Sequence, residues 1–336
     1  MKISKTELYA LCKDAIVSAG GSELMAESLT RATIDAQSKG KESLGIGHLF
    51  DYLASLREGR INGQATPEIE QSSAAIINAD AQGGIPHLAF DQTFHLLVEN
   101  TKKIGVTVFS QKNSYTCGAL GYFTRRLADE GLVALAATNS SAHMSSHGSR
   151  TAVFGTNPLS FAVPLGEKKH SVVFDQATSQ TALVNIREAA AQKIEIPEGW
   201  AIDEQGEQTT DPSAALLGSL LPFGGYKGAN IALMVEMLAR LSGANWSLDA
   251  GYFDSGMRGP GVGMFILAIN PALFDKEYTK KVDIHIDRLR REHGMTFPGD
   301  SAPPVLNEVL EVSDVLCLRL RKEASSLINQ SENFEQ

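Results

Sequence analysis

The chain has 336 residues, of which 43% are apolar and 21% charged, with 30 glycines and a formal net charge of −9. That length predicts two or three domains with a core large enough to fold without disulfides. The acidic balance argues against a nucleic-acid binder, which needs a Lys/Arg surplus facing phosphates. Three widely spaced cysteines, Cys12, Cys117 and Cys317, form no CxxC or zinc pattern and suit a reducing cytoplasm. The first residues, MKISKTELYALCKD, lack the apolar run of a signal peptide, and no stretch approaches the 18 apolar residues of a membrane span.

The first 60 residues read as three helices. Ser4 and Glu7 form a capping box, and Leu8, Leu11, Cys12, Ala15, Ile16 and Ala19 follow helical spacing until Gly20-Gly21. A second helix starts at Ser22, carries Ala26, Leu29, Ala32, Thr33 and Ala36, and closes at Gly40. A third holds Leu49, Tyr52, Leu53 and Leu56 and stops at Gly59, before an Asn62-Gly63 turn. Between the second and third lies a glycine-rich segment, residues 39–48. Further on, strands are expected over 74–78, 105–110, 131–138, 160–164, 171–175 and 263–270. Helices are expected over 88–104, 119–130, 229–241, 278–293 and 313–327, with a break at Pro303-Pro304 and a polar, frayed tail after Ser331. The helix over 119–130 joins two strands in a strand–helix–strand unit.

The common nucleotide and hydrolase signatures fail. Gly45-Ile-Gly47 lacks the third glycine of a dinucleotide fingerprint, and Gly225-Tyr-Lys-Gly228 has the wrong spacing for a P-loop. There is no G-x-S-x-G elbow. His143 and His147 are four apart, but SSAHMSSHGS is loop composition, so no metal site is expected. What remains is a set of turn-forming strings: Gly155-Thr-Asn-Pro158, Asp175-Gln-Ala-Thr-Ser179, Leu221-Pro-Phe-Gly-Gly-Tyr-Lys-Gly228 and Phe297-Pro-Gly-Asp300. Each is explicable as turn chemistry. Together they offer the hydroxyls of Thr156, Thr178 and Ser179, exposed backbone N–H groups, and Lys227 opening a helix whose N-terminus attracts anions. That combination suits a phosphate-bearing cofactor.

At these strings the sequence resembles the malate/L-lactate dehydrogenase type 2 family, NAD(P)-dependent oxidoreductases without a Rossmann fold. The family includes 2-oxo acid reductases, reductases of the cyclic imino acids Δ1-piperideine- and Δ1-pyrroline-2-carboxylate, and sulfolactate dehydrogenases. The resemblance extends through Ala137-Thr-Asn139, Pro197-Glu-Gly-Trp-Ala201, Thr210-Asp-Pro212 and residues 232–241, and covers nearly the whole chain. It implies an α/β fold in three parts: a helical N-terminal domain at 13–75, a central mixed-sheet NAD(P)-binding domain at 125–298, and a mixed α/β base for dimerisation at 1–12, 76–124 and 299–336. It further implies a homodimer, NADP or NAD as cofactor, and a small anionic substrate. Thr156, Phe174, Asp175, Gln176, Tyr226, Lys227, Phe297, Pro298 and Gly299 correspond to the residues that line the cofactor.

The sequence departs from the family where the proton donor belongs. The family's Ser-His-Gly, with an arginine four residues past the histidine, is here Ser43-Leu44-Gly45 followed by His48. A second family histidine string is here Ser114-Tyr-Thr-Cys-Gly118. Leucine cannot donate a proton. Three readings follow: His48 takes over proton transfer, Tyr115 or Thr116 relays the proton, or the protein binds cofactor without turnover. His48 is preferred because it lies one helical turn from the lost donor. By resemblance Asp175 orients the catalytic histidine. Arg150 and Arg187 are candidate anchors for a substrate carboxylate. The expected reaction is hydride transfer to C2 of a 2-oxo or cyclic 2-imino acid, the reverse being oxidation of a 2-hydroxy acid such as sulfolactate. A non-redox enzyme on the same scaffold is the remaining alternative.

Overall fold

Ser4 and Ser22 start the first two helices as their spacing predicts. In the computed structural model, which describes residues 1–166, 171–298 and 308–332, Ser4 Oγ accepts from the Glu7 N–H at 3.1 Å at the head of α1 (Lys5–Ser18). Ser22 Oγ accepts from Met25 N–H at 3.3 Å at the head of α2 (Glu23–Ser38). The expected Pro303-Pro304 break, Gly299 and residues 333–336 lie outside the described residues. The third helix, α3 (Ile46–Arg57), begins earlier than the glycine-rich composition suggests. Gly45 packs onto α2 so closely that a Cβ there would lie 2.8 Å from Gln37 Oε1. That oxygen accepts from the Ile46 N–H at 3.3 Å, so a side chain of α2 caps α3. His48 is thereby in the first turn of a helix and not in a loop.

Leu8, Cys12 and Ile16 of α1, Met25 and Leu29 of α2, and Leu49 and Leu53 of α3 form one buried cluster. It is completed by Cys317 and Leu320 of a last helix (Asp314–Glu332). Strand β1 (Lys2–Ser4) pairs antiparallel with Val309–Glu311, the last strand.

The chain next forms a hairpin, β2 (Glu68–Ser73) and β3 (Ile76–Asp80), then α4 (Pro86–Ile104), β4 (Val106–Ser114), α5 (Gly121–Asp129) and β5 (Val133–Thr138). Strands β6 (Met144–Ser145), β7 (Ala152–Phe154), β8 (Leu159–Val163) and β9 (Val172–Gln176) follow. Then come α6 (Leu183–Gln192), β10 (Ala201–Ile202), β11 (Gln208–Thr209), α7 (Pro212–Leu217), β12 (Ser219–Leu220), α8 (Tyr226–Arg240), β13 (Val262–Ile269) and α9 (Tyr278–His293). The last strand and helix are β14 and α10.

A seven-stranded mixed sheet has the order β2-β3-β4-β13-β5-β8-β9. The expected strand–helix–strand unit β4-α5-β5 is present, but β13 arrives from 120 residues later and pairs antiparallel with both strands, separating them. One face of the sheet, with Ile77, Phe109, Ile266 and Ala136 in register, is buried under Phe90 and Leu97 of α4 and Phe123 and Leu127 of α5. The other face carries Val108, Leu267, Leu135, Phe161 and Phe174 in a row across five strands, all half-buried. A smaller sheet, β11-β10-β12-β6-β7, packs Met144, Ala201 and Leu220 against Ile186 of α6 and Ala232 of α8. The boundaries expected at 75/76 and 124/125 fall in the β2–β3 turn and inside α5. The large sheet therefore runs through both the expected base and the expected cofactor segments. No helix among the described residues is long and apolar enough to cross a membrane.

His87, in the first turn of α4, is enclosed by aromatic rings: Phe123 at 5.2 Å, Tyr122 at 5.9 Å and Tyr52 at 6.4 Å. Its Nδ1 has no hydrogen-bond partner, and burial lowers its pKa to about 4. An unfolded histidine titrates near 6.5, so between about pH 6.5 and 4 the unfolded chain binds a proton that the folded one excludes. Stability should therefore fall with pH across that window, by about 3 kcal/mol in total. Urea melts at several pH values should show this slope, and His87→Phe should flatten it. An identical slope in the variant would assign the acid sensitivity to other groups.

Candidate active site

The first turn of α3 directs His48 toward the loop after β4. His48 Nδ1 lies 2.8 Å from Asp51 Oδ2, and Nε2 lies 3.3 Å from Thr116 Oγ1. The Tyr52 ring meets the imidazole edge-on at 4.8 Å, and the Tyr52 hydroxyl donates to the Thr116 carbonyl at 2.7 Å. The Phe253 ring is 5.9 Å away. The His48 side chain retains 14% exposure, so it is held yet reachable. Leu44 and Ser43 lie in the turn before α3 and are exposed, Leu44 at 38%.

Tyr115 packs against the same Tyr52 ring, at 5.1 Å, but is buried. Its hydroxyl donates to the Phe253 carbonyl at 2.8 Å and meets Ser55 Oγ at 2.9 Å in the core. Burial pushes its pKa well above the usual tyrosine value, which makes it a poorer acid. The alternation of an extended segment turns Tyr115 inward and leaves its neighbour Thr116 beside His48. Of the two expected proton relays, Tyr115 is thus buried and Thr116 is the one in contact with His48.

Asp175, expected to orient the histidine, is placed differently. Its Oδ2 accepts from the Gly121 N–H at 2.8 Å, at the head of α5, and faces Lys41 Nζ at 3.9 Å. A Cβ on Gly121 would lie 3.1 Å from Asp175 Cβ, so glycine permits this approach. Burial raises the Asp175 pKa, against the Gly121 N–H and the charges of Lys41 and Arg125, which lower it. The carboxylate on the imidazole is Asp51. Asp175 and His48 are nevertheless neighbours through one short loop: Thr116 holds the histidine and Gly121 the aspartate.

Three of the four turn strings converge. The Thr156 carbonyl accepts from both N–H and Oγ1 of Thr178 at 2.8 Å, and the Thr178 carbonyl accepts from the Phe223 N–H at 3.0 Å. Beneath them is a buried knot. Asn157 Nδ2 donates to Glu236 Oε2 at 2.7 Å, and Ser247 donates to the same carboxylate through its N–H and its hydroxyl, each at 2.6 Å. This fastens α8 under the Gly155–Pro158 turn. Gly224 and Gly225 enter α8 with φ of +57° and +64°, and a Cβ at either would meet open space. No side chain caps the helix, and Tyr226 and Lys227 are exposed at its start. An uncapped helix N-terminus with an adjacent lysine fits a phosphate group of a dinucleotide. Phe174 tilts against Phe161 at 5.7 Å and Gln176 is exposed at the end of β9. Phe297 lies under the Arg290 guanidinium at 5.3 Å, and Pro298 is exposed. Gly299 lies outside the described residues.

The remaining candidates are engaged elsewhere. Arg187 pairs with Asp254 at 2.8 Å and Arg150 with Glu207 at 3.3 Å. His143 and His147 flank β6 and face different rings, Tyr252 at 5.1 Å and Tyr226 at 6.2 Å. No group of three or more metal-binding side chains occurs among the described residues. Sequence reasoning missed Asp51, Lys41 and the Glu236 knot. Only Asp51 left a usable signal, its i, i+3 spacing from His48, and only once the helix start is known.

The mixed sheet, flanking helices and converging turns define an α/β protein whose nucleotide-like cradle is not a Rossmann crevice. Residues 3–303 match the model of the malate/L-lactate dehydrogenase family, and the chain belongs to this family. It is 37% identical over 280 residues to a Delta(1)-pyrroline-2-carboxylate/Delta(1)-piperideine-2-carboxylate reductase of Pseudomonas putida, covering 82% of each chain. It is 33% identical over 331 residues to a (2R)-3-sulfolactate dehydrogenase (NADP(+)) of Chromohalobacter salexigens, covering 97% of this chain and 99% of the relative. The crystal structure of delta1-piperideine-2-carboxylate reductase from Pseudomonas syringae pvar. tomato superposes with a TM-score of 0.90 at 30% identity, covering 96% of this chain and 99% of that one.

Gly228, inside the first turn of α8, has no room for a side chain: a Cβ would lie 2.1 Å from the Phe223 carbonyl oxygen. Gly228→Ala should cost about 1–3 kcal/mol in urea denaturation, as overpacking does. Unchanged stability would show that the 221–228 turn is free to shift.

Proposed function

We propose that this protein is an NAD(P)H-dependent reductase acting on C2 of a small cyclic 2-imino acid or 2-oxo acid, the reverse being oxidation of a 2-hydroxy acid of the sulfolactate kind. The single observation that carries the reading is His48, an ionisable imidazole held between Asp51 and Thr116 where the family's usual donor has become Leu44. When bound, the reduced nicotinamide supplies the hydride. Lys227 and the open head of α8 would hold its phosphates, with Thr156, Phe174, Asp175, Gln176, Tyr226, Phe297, Pro298 and Gly299 around it. NADP is favoured over NAD by the name of the sulfolactate relative.

The chain supplies placement and a proton. Protonated His48 faces the substrate with Nε2–H, and that bond breaks as an N–H or O–H bond forms on the substrate heteroatom attached to C2. The imidazole is left neutral, with Nδ1–H still on Asp51, and solvent restores the proton. Lys41, 40% exposed and 3.9 Å from Asp175, is a cation suited to the substrate carboxylate that the lost arginine would have held. All three relatives carry reductase or dehydrogenase names, so cofactor binding without turnover gains no support from them. A cytoplasmic setting is part of this proposal, and three buried free cysteines support it.

A nicotinamide absorbance assay over cyclic 2-imino, 2-oxo and sulfonated acids should show turnover on at least one class. His48→Asn should cut that turnover roughly a hundredfold or more while leaving cofactor affinity intact. Cofactor binding with no reduction of a 2-imino or 2-oxo acid and no oxidation of a 2-hydroxy acid in the panel would overturn the reading.

The proposal includes a homodimer. The half-buried row Val108, Leu267, Leu135, Phe161 and Phe174 lies on one sheet face, and α8 exposes Leu233, Met234 and Met237. An apolar area of this kind is commonly covered by another chain. Light scattering should give twice the 36.1 kDa chain mass at micromolar concentration. A monomer would remove this part of the proposal.

A further inference from the structure

We infer that Asp51 is the positioning residue of the catalytic histidine: it fixes the tautomer of His48 and so directs Nε2 toward the substrate. This rests on the proposed role of His48 and deepens it. The two residues sit three apart on α3, facing the same side, with Nδ1 to Oδ2 at 2.8 Å. A carboxylate only accepts hydrogen bonds, so the ring nitrogen it touches must carry hydrogen. Nδ1 therefore keeps its proton in both charge states of the ring. The exchangeable proton is confined to Nε2, the nitrogen 3.3 Å from Thr116 Oγ1.

The other neighbours leave that choice to Asp51. The Tyr52 and Phe253 rings touch the imidazole by edge contacts, which do not distinguish its nitrogens. The Tyr52 hydroxyl is committed to the Thr116 carbonyl. Thr116 Oγ1 is a hydroxyl, able to donate or to accept, so it serves Nε2 in either protonation state. Asp175 is turned to Gly121 and Lys41. His87, buried on the far side of Tyr52, is kept neutral by its burial. Asp51 is the one carboxylate in contact with the ring among the described residues. At 44% side-chain exposure it also keeps contact with solvent.

An alternative role is an exposed i, i+3 pair on a helix, which stabilises weakly and directs nothing. The two roles separate in three measurements on the full-length protein. In the first, nitrogen NMR of histidine-labelled protein reads the tautomer of neutral His48. The wild type should show Nδ1–H, and Asp51→Ala should shift the population toward Nε2–H, the form a free imidazole prefers. In the second, steady-state kinetics should show kcat reduced about tenfold to a hundredfold in Asp51→Ala, less than on removing the acid itself, with KM for the cofactor unchanged. Asp51→Glu, which keeps a carboxylate within reach of Nδ1, should recover most of the rate. In the third, Asp51→Ala placed on His48→Asn should cost nothing more, because residues that act as a unit are not additive. A wild-type tautomer and rate in Asp51→Ala would overturn the inference, as would full additivity. If His48→Asn itself turns over normally, the reading of His48 fails, and the NMR result distinguishes that failure from the failure of Asp51 as its orienter.

Discussion

The contact between Gln37 and Gly45 fixes where α3 begins, and the candidate site depends on that start. Gln37 is a buried polar side chain on α2 whose Oε1 receives the Ile46 N–H, while its Nε2 donates to the Glu311 carbonyl at 2.8 Å. A buried amide in this position must satisfy both ends. One end is fixed by the last strand and the other sets the first residue of α3. Because Gly45 admits the close approach, α3 starts at Ile46, and residues 48, 51 and 52 fall on one face. His48 then meets Thr116, Asp51 closes on Nδ1, and Tyr52 reaches the Thr116 carbonyl. A side chain at position 45 would push α3 away from α2 and undo all three contacts together.

A second buried polar arrangement does for the cofactor strings what Gln37 does for the histidine. The Glu236 carboxylate is inside the protein, where an unpaired charge would be costly. It is met by Asn157 and twice by Ser247. Such a group contributes less to net stability than to uniqueness: its donors must occupy one arrangement or leave the charge unsatisfied. Since Asn157 adjoins Thr156 and Glu236 lies on α8, that arrangement sets the Gly155–Pro158 turn against the head of α8. The glycines at 224 and 225 then border open space, with the Gly225 N–H donating to the Pro222 carbonyl at 3.3 Å.

Elements with a strong period were legible in the sequence. Residues 278–293 alternate apolar and charged groups at helical spacing, and α9 spans those same residues. The β2–β3 hairpin was only half seen, because Glu68–Ser73 is polar and fully exposed and carries no apolar alternation. The two-residue strands of the small sheet are defined by long-range pairing and leave no local pattern. Separation of β4 from β5 by β13 is likewise a tertiary fact: β13 reads as a buried strand, but nothing local says between which partners it inserts. At the site, the turn strings were legible as chemistry because glycine, asparagine and proline mark backbone geometry directly. The inward turn of Tyr115 was not legible because the direction of a side chain in a non-repetitive segment depends on the register of the preceding strand. The pairing of Asp51 with His48 was overlooked because an i, i+3 spacing has meaning only within one helix, and His48 fell in the glycine-rich segment before the expected third helix.

The net charge of −9 now has a spatial meaning. An acidic protein that handles an anionic cofactor and an anionic acid must concentrate cations where they are used. Lys227 stands at the head of α8, and the proposed mechanism uses Lys41 and the imidazole of His48 at the substrate end. Each of the latter two has its own carboxylate, Asp175 and Asp51. Paired in this way, the two side chains hold position without substrate, yet neither is so enclosed that it cannot turn to a third charge. Replacing an arginine by histidine costs bidentate grip on a carboxylate. It gains a group that can both attract the anion when protonated and surrender that proton during the reaction. On the proposed reading, anchor and acid, which the family keeps on two side chains, converge on His48, with Lys41 sharing the work of holding the substrate.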